Sequence, residues 1–227
     1  MSTRTDAVAA VDPEPSSTAE RLLDVGEELF AVHGIDAVST RTITAAAGAN
    51  SAALHYHFGS KEGLVEAILR RRMTALHARR QQLLDEIDDA ARVDPRRVVE
   101  AIVRPLAEFV TDGGEAGRLY IRFLARLFFD RSSLLLDLAH ESFPADERIA
   151  VLMQRALAPL PASLVGLRLS FAVDAHLAVL AALSRPGQGW PGPDPRFSAQ
   201  EVTHALVDFL VAGLNAPVTT RAPRRRR

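Results

Sequence analysis

Apolar residues recur every three to four positions along most of the chain, which is the period of an α-helix. The first apolar stripe begins after Ser17 or Thr18, ends at His33-Gly34, and comprises Leu22, Leu23, Val25, Gly26, Leu29, Phe30 and Val32. We find no alternation of apolar and polar residues that would predict a β-strand, and no internal repeat. The pattern therefore predicts an all-α protein.

Helix start and stop signals divide the chain into about nine helices. Four are predicted at 18–33, 40–47, 51–57 and 61 to about 91, with Ser39 and Ser60 as N-caps and a tight turn at Gly48. Five more are predicted from Pro95 to near Gly113, over 115–130, around Pro144 to Leu157, over 163–184 and over 198–214. The ends of the chain, 1–17 and 218–227, are predicted to be a disordered arm and a basic tail.

Composition limits the classes of function. With 227 residues, of which 48% are hydrophobic, the chain can form a sizeable core. The absence of cysteine excludes disulfides, thiol nucleophiles and thiolate zinc sites. We see no signal peptide and no run of about 18 uncharged apolar residues. We therefore expect a soluble, cytoplasmic protein without a membrane partner. The net charge of −1 does not by itself indicate a nucleic-acid partner.

The second and third predicted helices are short and are joined around Gly48, which is typical of a helix-turn-helix. The second helix of such a motif enters the major groove of DNA. Here it begins at Ser51, and Ala52 and Ala53 are small enough to allow close approach to base edges. Leu54 and Phe58, four residues apart, are expected to face the core.

Ring-bearing residues follow on the same helix. His55, Tyr56 and His57 are expected on its exposed side, where they can donate hydrogen bonds to phosphates. Lys61, the single lysine of the chain, lies at the start of the next helix, where backbone N–H groups and the helix dipole favour an anion. The alternative interpretation is a helix end with aromatic packing, followed by a solvated lysine.

The stretch RLLDVGEELFAVHGIDAVSTRTITAAAGANSAALHYHFGSKEGLVEAIL resembles the N-terminal domain of TetR-family transcriptional regulators. The shared features are the Leu-Phe-x-x-x-Gly end of the first helix, the Ser-Thr-Arg entry to the second, the Ala-Gly turn and the aromatic-Phe-x-x-Lys-Glu-x-Leu run. The resemblance implies DNA contacts by Thr40, Arg41, Ser51, Ala52, Ala53, His55, Tyr56, His57 and Lys61.

The chain departs from the family pattern at two of its positions. The family usually has tyrosine where His55 stands, which makes that phosphate contact weaker or dependent on pH. Thr42 replaces the frequent acidic residue that would complete a capping box with Ser39. The resemblance further implies a homodimer on a near-palindromic DNA operator, with 18–66 as the DNA-binding domain and 67–217 as the ligand-binding and dimerisation domain.

In this family the C-terminal helices hold an effector pocket and the dimer interface. The apolar helix over 163–184 and the last helix are expected to form that interface. The expected pocket residues are Phe109, Arg122, Phe123, Arg126, Phe171 and Asp174. The block RRRMTALHARRQQLLDEI resembles fatty-acid-responsive members, which implies a fatty acid or acyl thioester as effector. A solvated arginine face, and polar contacts within the protein for Asp174 and His176, are the alternatives.

Two other classes of protein compete with a DNA-binding regulator. An enzyme is disfavoured because the sequence contains no phosphate-binding glycine loop, no Gly-x-Ser-x-Gly and no His-Glu-x-x-His motif. We therefore predict no catalytic residue, no metal site and no cofactor. A helical adaptor that binds proteins through apolar helices is the second alternative, and salt-sensitive binding to duplex DNA distinguishes a regulator from it.

Overall fold

A computed structural model describes residues 17–88, 92–130, 132, 144–185 and 193–218, and these residues form nine α-helices and no strand. The helices are α1 (Thr18–His33), α2 (Thr40–Ala46), α3 (Ser51–Phe58), α4 (Lys61–Asp88), α5 (Pro95–Thr111), α6 (Gly114–Phe129), α7 (Pro144–Ala156), α8 (Ala162–Leu183) and α9 (Ala199–Leu214). The all-α prediction is confirmed, with helix ends shifted by a few residues at most. The predicted arm and tail lie outside the described residues, except for Ser17 and Val218.

Side-chain caps fix where several helices begin. Ser17 and Glu20 form a reciprocal capping box at the start of α1, and Ser198 and Glu201 form another at α9. Asp94 accepts a hydrogen bond from the backbone N–H of Arg96 before α5, whose first residue is a proline. These local signals explain why the helix starts were readable from the sequence.

Helices α1 to α3 form a compact unit, here called the head, which packs against the first turns of α4. Its core contains Leu22, Phe30, Ile43 and Leu54, all at most 3% exposed. Val32, expected in the apolar stripe of α1, is 51% exposed. The helical turn places it on the side of α1 that faces away from the buried Phe30 and Ala31. The remaining helices form the regulatory part, in which α5 packs against α4, α6 and α9.

An ion-pair network centred on the buried Glu27 joins the head to α4. The carboxylate of Glu27 on α1, a residue that is 3% exposed, accepts hydrogen bonds from Arg71 at 2.7 Å and Arg72 at 3.1 Å. Arg71 also donates to Asp24 at 2.7 Å. Burial opposes the charge of Arg71, but the hydrogen bonds with Asp24 and Glu27 raise its pKa. The guanidinium of Arg72 lies 5.9 Å from the ring centroid of Tyr120 on α6, which extends the network to a third helix.

The last two helices, α8 and α9, lie against each other, and each leaves an apolar face exposed. Arg168 on α8 donates to the carbonyl oxygens of Leu214 at 2.6 Å and Ala216 at 2.7 Å, which holds the end of α9 beside α8. The large apolar residues exposed on these faces are Leu167, Phe171 and Phe209, and we call them the α8–α9 surface.

Among the described helices, α8 is the one whose length and hydropathy would allow it to cross a membrane. Only 28% of the residues in its most apolar 18-residue stretch are buried in a single chain. The helix also contains Arg168 and Asp174, and a core or interface helix of a water-soluble protein meets the same criteria.

Candidate nucleic-acid interface

Helix α2 starts with a hydroxyl cap that uses two side chains. Ser39 accepts a hydrogen bond from the backbone N–H of Thr42 at 3.1 Å, and the two hydroxyl oxygens lie 2.8 Å apart. Thr42 thus bonds to the cap through its hydroxyl, although it lacks the carboxylate of a full capping box. Thr40 and Arg41 are exposed on the first turn, where sequence analysis placed DNA contacts.

The turn between α2 and α3 is held from both sides. Gly48 has a φ of +61°, a conformation that costs little only without a Cβ, and the N–H of Ala49 bonds to the carbonyl of Thr44 at 2.9 Å. Arg21 on α1 donates to the carbonyl of Ala47 at 3.3 Å. Asn50 then caps α3 by accepting from the N–H of Ala53 at 2.8 Å. This cap was not predicted from the sequence, although asparagine before a helix is a recognised signal.

Helix α3 presents the expected side chains outward. Leu54 is 3% exposed and Phe58 is half-buried, so these two residues attach the helix to the head. The exposed residues are Ser51, Ala52, His55, Tyr56 and His57, while Ala53 is half-buried. Tyr56 is 85% exposed and packs only edge-on against the ring of His57, at a centroid distance of 5.1 Å. Aromatic packing into the core therefore does not explain this residue.

Lys61 is positioned differently from the expectation. Its side chain is half-buried, and its ammonium donates to the carbonyl oxygens of Ile35 at 3.0 Å and Val38 at 3.3 Å. Both carbonyls belong to the link between α1 and α2. The alternative of a freely solvated lysine is wrong. The predicted phosphate contact stays a prediction, and only one of the three ammonium protons remains for it.

The N-terminus of α4 is already capped by its own side chains. The hydroxyl of Ser60 accepts from the N–H of Gly63 at 3.1 Å. The carboxylate of Glu62 forms hydrogen bonds with its own backbone N–H and with Ser60. Both bonds lower the pKa of Glu62, and the backbone bond has the larger effect. The free N–H groups expected here as an anion site are thus partly occupied. By contrast, α2 and α3 have no acidic residue in their first turns, so only the neutral caps Ser39 and Asn50 meet their positive ends.

In the part of the chain that the structure describes, the six expected pocket residues lie at several separate places. Phe123 stacks on Phe30 of α1 at a centroid distance of 6.2 Å, and Phe109 contacts the ring of Tyr120 at 4.9 Å. Arg122 forms an ion pair with Glu115 at the start of α6.

The two pocket residues expected on α8 lie on its exposed face. Phe171 is 59% exposed and Asp174 is also exposed, because they lie on the side of α8 opposite His176 and Leu180. Hydrophobic spacing showed that both sides of α8 are apolar, but not which side the neighbouring helices cover. Of the six residues, Phe123 and Arg126 line one common cavity of about 450 Å³.

His176 and Tyr120 are among the polar side chains buried in the regulatory part. His176 is 2% exposed. Its burial, and to a smaller extent the charge of Arg80, lower the pKa of its imidazole to about 3, although a backbone hydrogen bond with Val103 acts in the opposite direction. Tyr120 is 0% exposed, and burial followed by the charge of Glu27 raises its pKa above the usual range. The sequence alternative that His176 bonds within the protein is supported by its contact with Val103.

The head has three helices, and α3, the second helix of the helix-turn-helix, presents its side chains outward. Such a head attached to a larger helical part defines a helix-turn-helix DNA-binding regulator. Residues 22–68 match the model of "Bacterial regulatory proteins, tetR family", and residues 100–213 match that of the "Tetracyclin repressor-like, C-terminal domain". The chain belongs to the TetR family of transcriptional regulators. Members of this family are DNA-binding transcription factors, not enzymes, so the enzyme alternative is excluded.

Relatives and solved structures agree with this assignment. The chain is 33% identical over 105 residues to the HTH-type transcriptional repressor KstR2 of Rhodococcus jostii, which covers 46% of this chain and 49% of that protein. It is 40% identical over 72 residues to KstR2 of Mycolicibacterium smegmatis, and this match covers 32% of this chain and 35% of that protein. The chain thus matches about half of its curated relatives' length, or less. The ketosteroid regulator KstR2 of Mycobacterium tuberculosis has the same fold, with a TM-score of 0.61 and 19% identity over 88% of this chain and 96% of that one.

Proposed function

We propose that this protein is a homodimeric, cytoplasmic transcriptional repressor that binds a near-palindromic operator and is released by a small apolar effector. The main supporting observation is the outward presentation of α3, whose ring-bearing residues have no packing role in the core. The names of the curated relatives support repression rather than activation. Binding by Thr40, Arg41, Ser51, Ala52, Ala53, His55, Tyr56, His57 and Lys61 is part of this proposal.

The α8–α9 surface supports the dimer. Phe171 and Phe209 are 59% and 69% exposed, which is costly for a monomer in water. A two-fold pairing of α8 and α9 would cover both side chains and form a four-helix contact. In such a dimer the two copies of α3 must lie about 34 Å apart, or a multiple of that distance, to reach two half-sites on one face of the DNA.

The effector proposal has two candidates. A fatty acid or acyl thioester follows from the sequence of α4, which resembles fatty-acid-responsive members. A ketosteroid is the second candidate, because the solved relative from Mycobacterium tuberculosis is named a ketosteroid regulator. Either effector can release the DNA only if it binds the protein more tightly in its DNA-free conformation than in its DNA-bound conformation.

The test begins with selection of binding sites from a random duplex library, together with the upstream region of the protein's own gene. We expect enrichment of an inverted repeat, and binding to it that weakens steeply as salt rises. Tyr56→Ala is expected to abolish the enrichment, whereas Phe197→Ala, at another exposed aromatic residue before α9, is not. Oleate, oleoyl thioester and progesterone are then titrated into the complex. No salt-dependent binding to any duplex would contradict the proposal.

A further inference from the structure

Helix α1 connects the head to two helices of the regulatory part, α4 and α6. On the α4 side, a Cβ at Gly26 would lie 3.0 Å from Cδ2 of Leu64 and 3.2 Å from Cδ1 of Ile68, which is closer than an ordinary carbon–carbon contact. On the α6 side, the rings of Phe30 and Phe123 stack at a centroid distance of 6.2 Å. The orientation of the head therefore depends on how α1 lies against these two helices.

Polar contacts restrict that orientation further, because hydrogen-bonded ion pairs are directional and apolar contacts are not. Arg71 on α4 donates to Asp24 and to Glu27 at 2.7 Å each, and both acceptors belong to α1. Glu27 is only 3% exposed, so water competes little for its bonds. Arg71 thus ties α4 to α1 alone.

Arg72, the next residue of α4, contacts both α1 and α6. Its Nε lies 3.3 Å from one carboxylate oxygen of Glu27, and its Nη2 lies 3.1 Å from the other, which is a two-pronged contact. The guanidinium also lies 5.9 Å from the ring centroid of Tyr120 on α6. One side chain therefore links the head to two helices of the regulatory part.

Both partners of Arg72 are held in place by their surroundings. Tyr120 is 0% exposed, and its ring packs on Phe109 of α5 at a centroid distance of 4.9 Å. An enclosed ring of this size cannot shift without moving its neighbours, because protein interiors are close-packed. The buried carboxylate of Glu27 cannot turn into water without moving α1. A rotation of α1 on α4 and α6 must therefore break the contacts of Arg72.

The orientation of the heads has a direct consequence for DNA recognition by a dimer. One base pair added between two half-sites moves them apart by about 3.4 Å and rotates one against the other by about 35°. Heads that are held in one orientation fit one spacing of the half-sites. Heads that can rotate fit several spacings.

We propose that Arg72 is a positioning residue that fixes the orientation of the head and thereby the half-site spacing that the protein accepts. It acts through Glu27 and Tyr120 and does not contact DNA. The effect on spacing rests on the proposed function, whereas the orientation of the head within one chain does not. Replacement of Arg72 leaves Glu27 its bond to Arg71, so the buried carboxylate stays paired and the variants are expected to fold.

The spacing test uses the inverted repeat obtained by duplex selection, with one or two base pairs inserted or removed at its centre. The parent protein should lose about 10-fold or more in affinity for a change of one base pair, and Arg72→Met should lose only about 3-fold or less. Arg72→Lys, which keeps the charge without the planar fork, should lie between them. Arg79→Met is the matched control, because Arg79 on the same helix pairs at 3.2 Å with Glu108 of α5, outside the head. It should keep the parent's spacing profile.

The orientation test needs no DNA. The chain has no cysteine, so spin labels can be attached at Ala45→Cys on α2 and Val151→Cys on α7, both exposed positions. Labelled protein is diluted with an excess of unlabelled protein, so that each dimer contains at most one labelled chain. Pulsed electron paramagnetic resonance then gives the distances between the two labels. Their distribution should broaden or shift in Arg72→Met and stay unchanged in Arg79→Met.

Urea unfolding measures the stability of each variant separately. An Arg72→Met variant that keeps the parent's spacing profile, or its label distances, would overturn the inference, however much stability it loses. An equal effect of Arg79→Met would also overturn it, because any contact between helices would then serve. A parent protein that binds no duplex contradicts the proposed function, and the label distances still decide whether Arg72 orients the head.

Discussion

The ammonium group of Lys61, at the first residue of α4, lies 3.0 Å from the carbonyl oxygen of Ile35, in the link between α1 and α2. A second bond to Val38 completes the contact. The link ends at Ser39, the cap of α2, so Lys61 joins the long helix of the regulatory part to the helix that supports α3. We therefore expect a displacement of α4 to reach the head through this contact and through Glu27.

We expect Lys61→Met to lower operator affinity in two separable ways. Loss of the two carbonyl bonds should reduce the free energy of unfolding by about 1–3 kcal/mol. Loss of the predicted phosphate contact in both subunits should make the salt dependence of log K less steep by about 2. Urea unfolding and DNA titration over a salt series measure these effects independently.

Arg196→Met serves as the control, because Arg196 pairs with Asp194 in an exposed loop before α9. It should change neither the salt slope nor the unfolding free energy appreciably. If Lys61→Met reduces stability and leaves the salt slope unchanged, the lysine only holds the link and touches no phosphate.

Tyr56 should contribute to DNA binding and little to stability. Its side chain is 85% exposed, so Tyr56→Phe and Tyr56→Ala should change the unfolding free energy by less than about 0.5 kcal/mol. Operator affinity should fall about 10-fold or more on loss of the hydroxyl, if it donates to a phosphate in each half-site. An unchanged DNA affinity for Tyr56→Ala, measured by fluorescence anisotropy, would remove this residue from the interface.

The sequence was sufficient for the helices because their signals are local. Ser17, Asp94 and Ser198 mark helix starts by bonding to backbone groups two or three residues away. The outward face of α3 was also predictable, because Leu54 and Phe58 define its inner side. The family resemblance then assigned roles to the exposed residues, and these roles stay predictions.

The partners of long-range polar groups were not predictable. Lys61 bonds to carbonyls more than 20 residues earlier in the chain, and Arg126 packs on Gly34, which belongs to another helix end. Hydrophobic spacing shows which faces of α6 and α8 are apolar, but not which helix covers each face. For this reason the expected pocket combined Phe123, at the head junction, with Phe171, on an exposed surface.

Glu27→Gln should destabilise the protein strongly, since the carboxylate is buried and bonds to two arginines. Removing one charge of a buried network leaves the others uncompensated, and we expect a loss of about 3 kcal/mol in the unfolding free energy. Asp24→Asn is a matched control, because Asp24 bonds to the same Arg71 but has 64% of its side-chain surface exposed. The control should cost less than about 1 kcal/mol. Equal effects in urea unfolding would contradict a special role for Glu27.

Acid should destabilise the protein through His176. Its pKa is lowered to about 3 in the folded chain, from an ordinary value of 6.5. Between these values the unfolded chain binds one more proton than the folded chain, so the unfolding free energy falls as the pH decreases. The expected loss is about 2 kcal/mol between pH 8 and pH 5. Burial also lowers the pKa of His77, which adds an effect of the same sign.

The measurement is urea unfolding from pH 8 to pH 5 for the parent protein, His176→Asn and His204→Asn. His176→Asn should lose most of the pH dependence, whatever its effect on stability at pH 8. His204 is exposed on α9, and its replacement should leave the slope unchanged. A parent-like slope in His176→Asn would show that this imidazole is protonated in the folded state or is not the main titrating group.

Phe209→Glu should convert the proposed dimer to a monomer without unfolding the chain. Phe209 is 69% exposed in one chain, so the glutamate costs little in the monomer, but it would be desolvated beside apolar side chains in a dimer. Val151→Glu is the control, because Val151 is 59% exposed on α7, which is neither of the two helices that form the α8–α9 surface. Light scattering should give a monomer mass for Phe209→Glu and a dimer mass for the control. Operator affinity should fall about 100-fold or more in Phe209→Glu, because the two half-sites are then bound independently. A dimer that persists in Phe209→Glu, or that is lost in Val151→Glu, would place the interface elsewhere on the molecule.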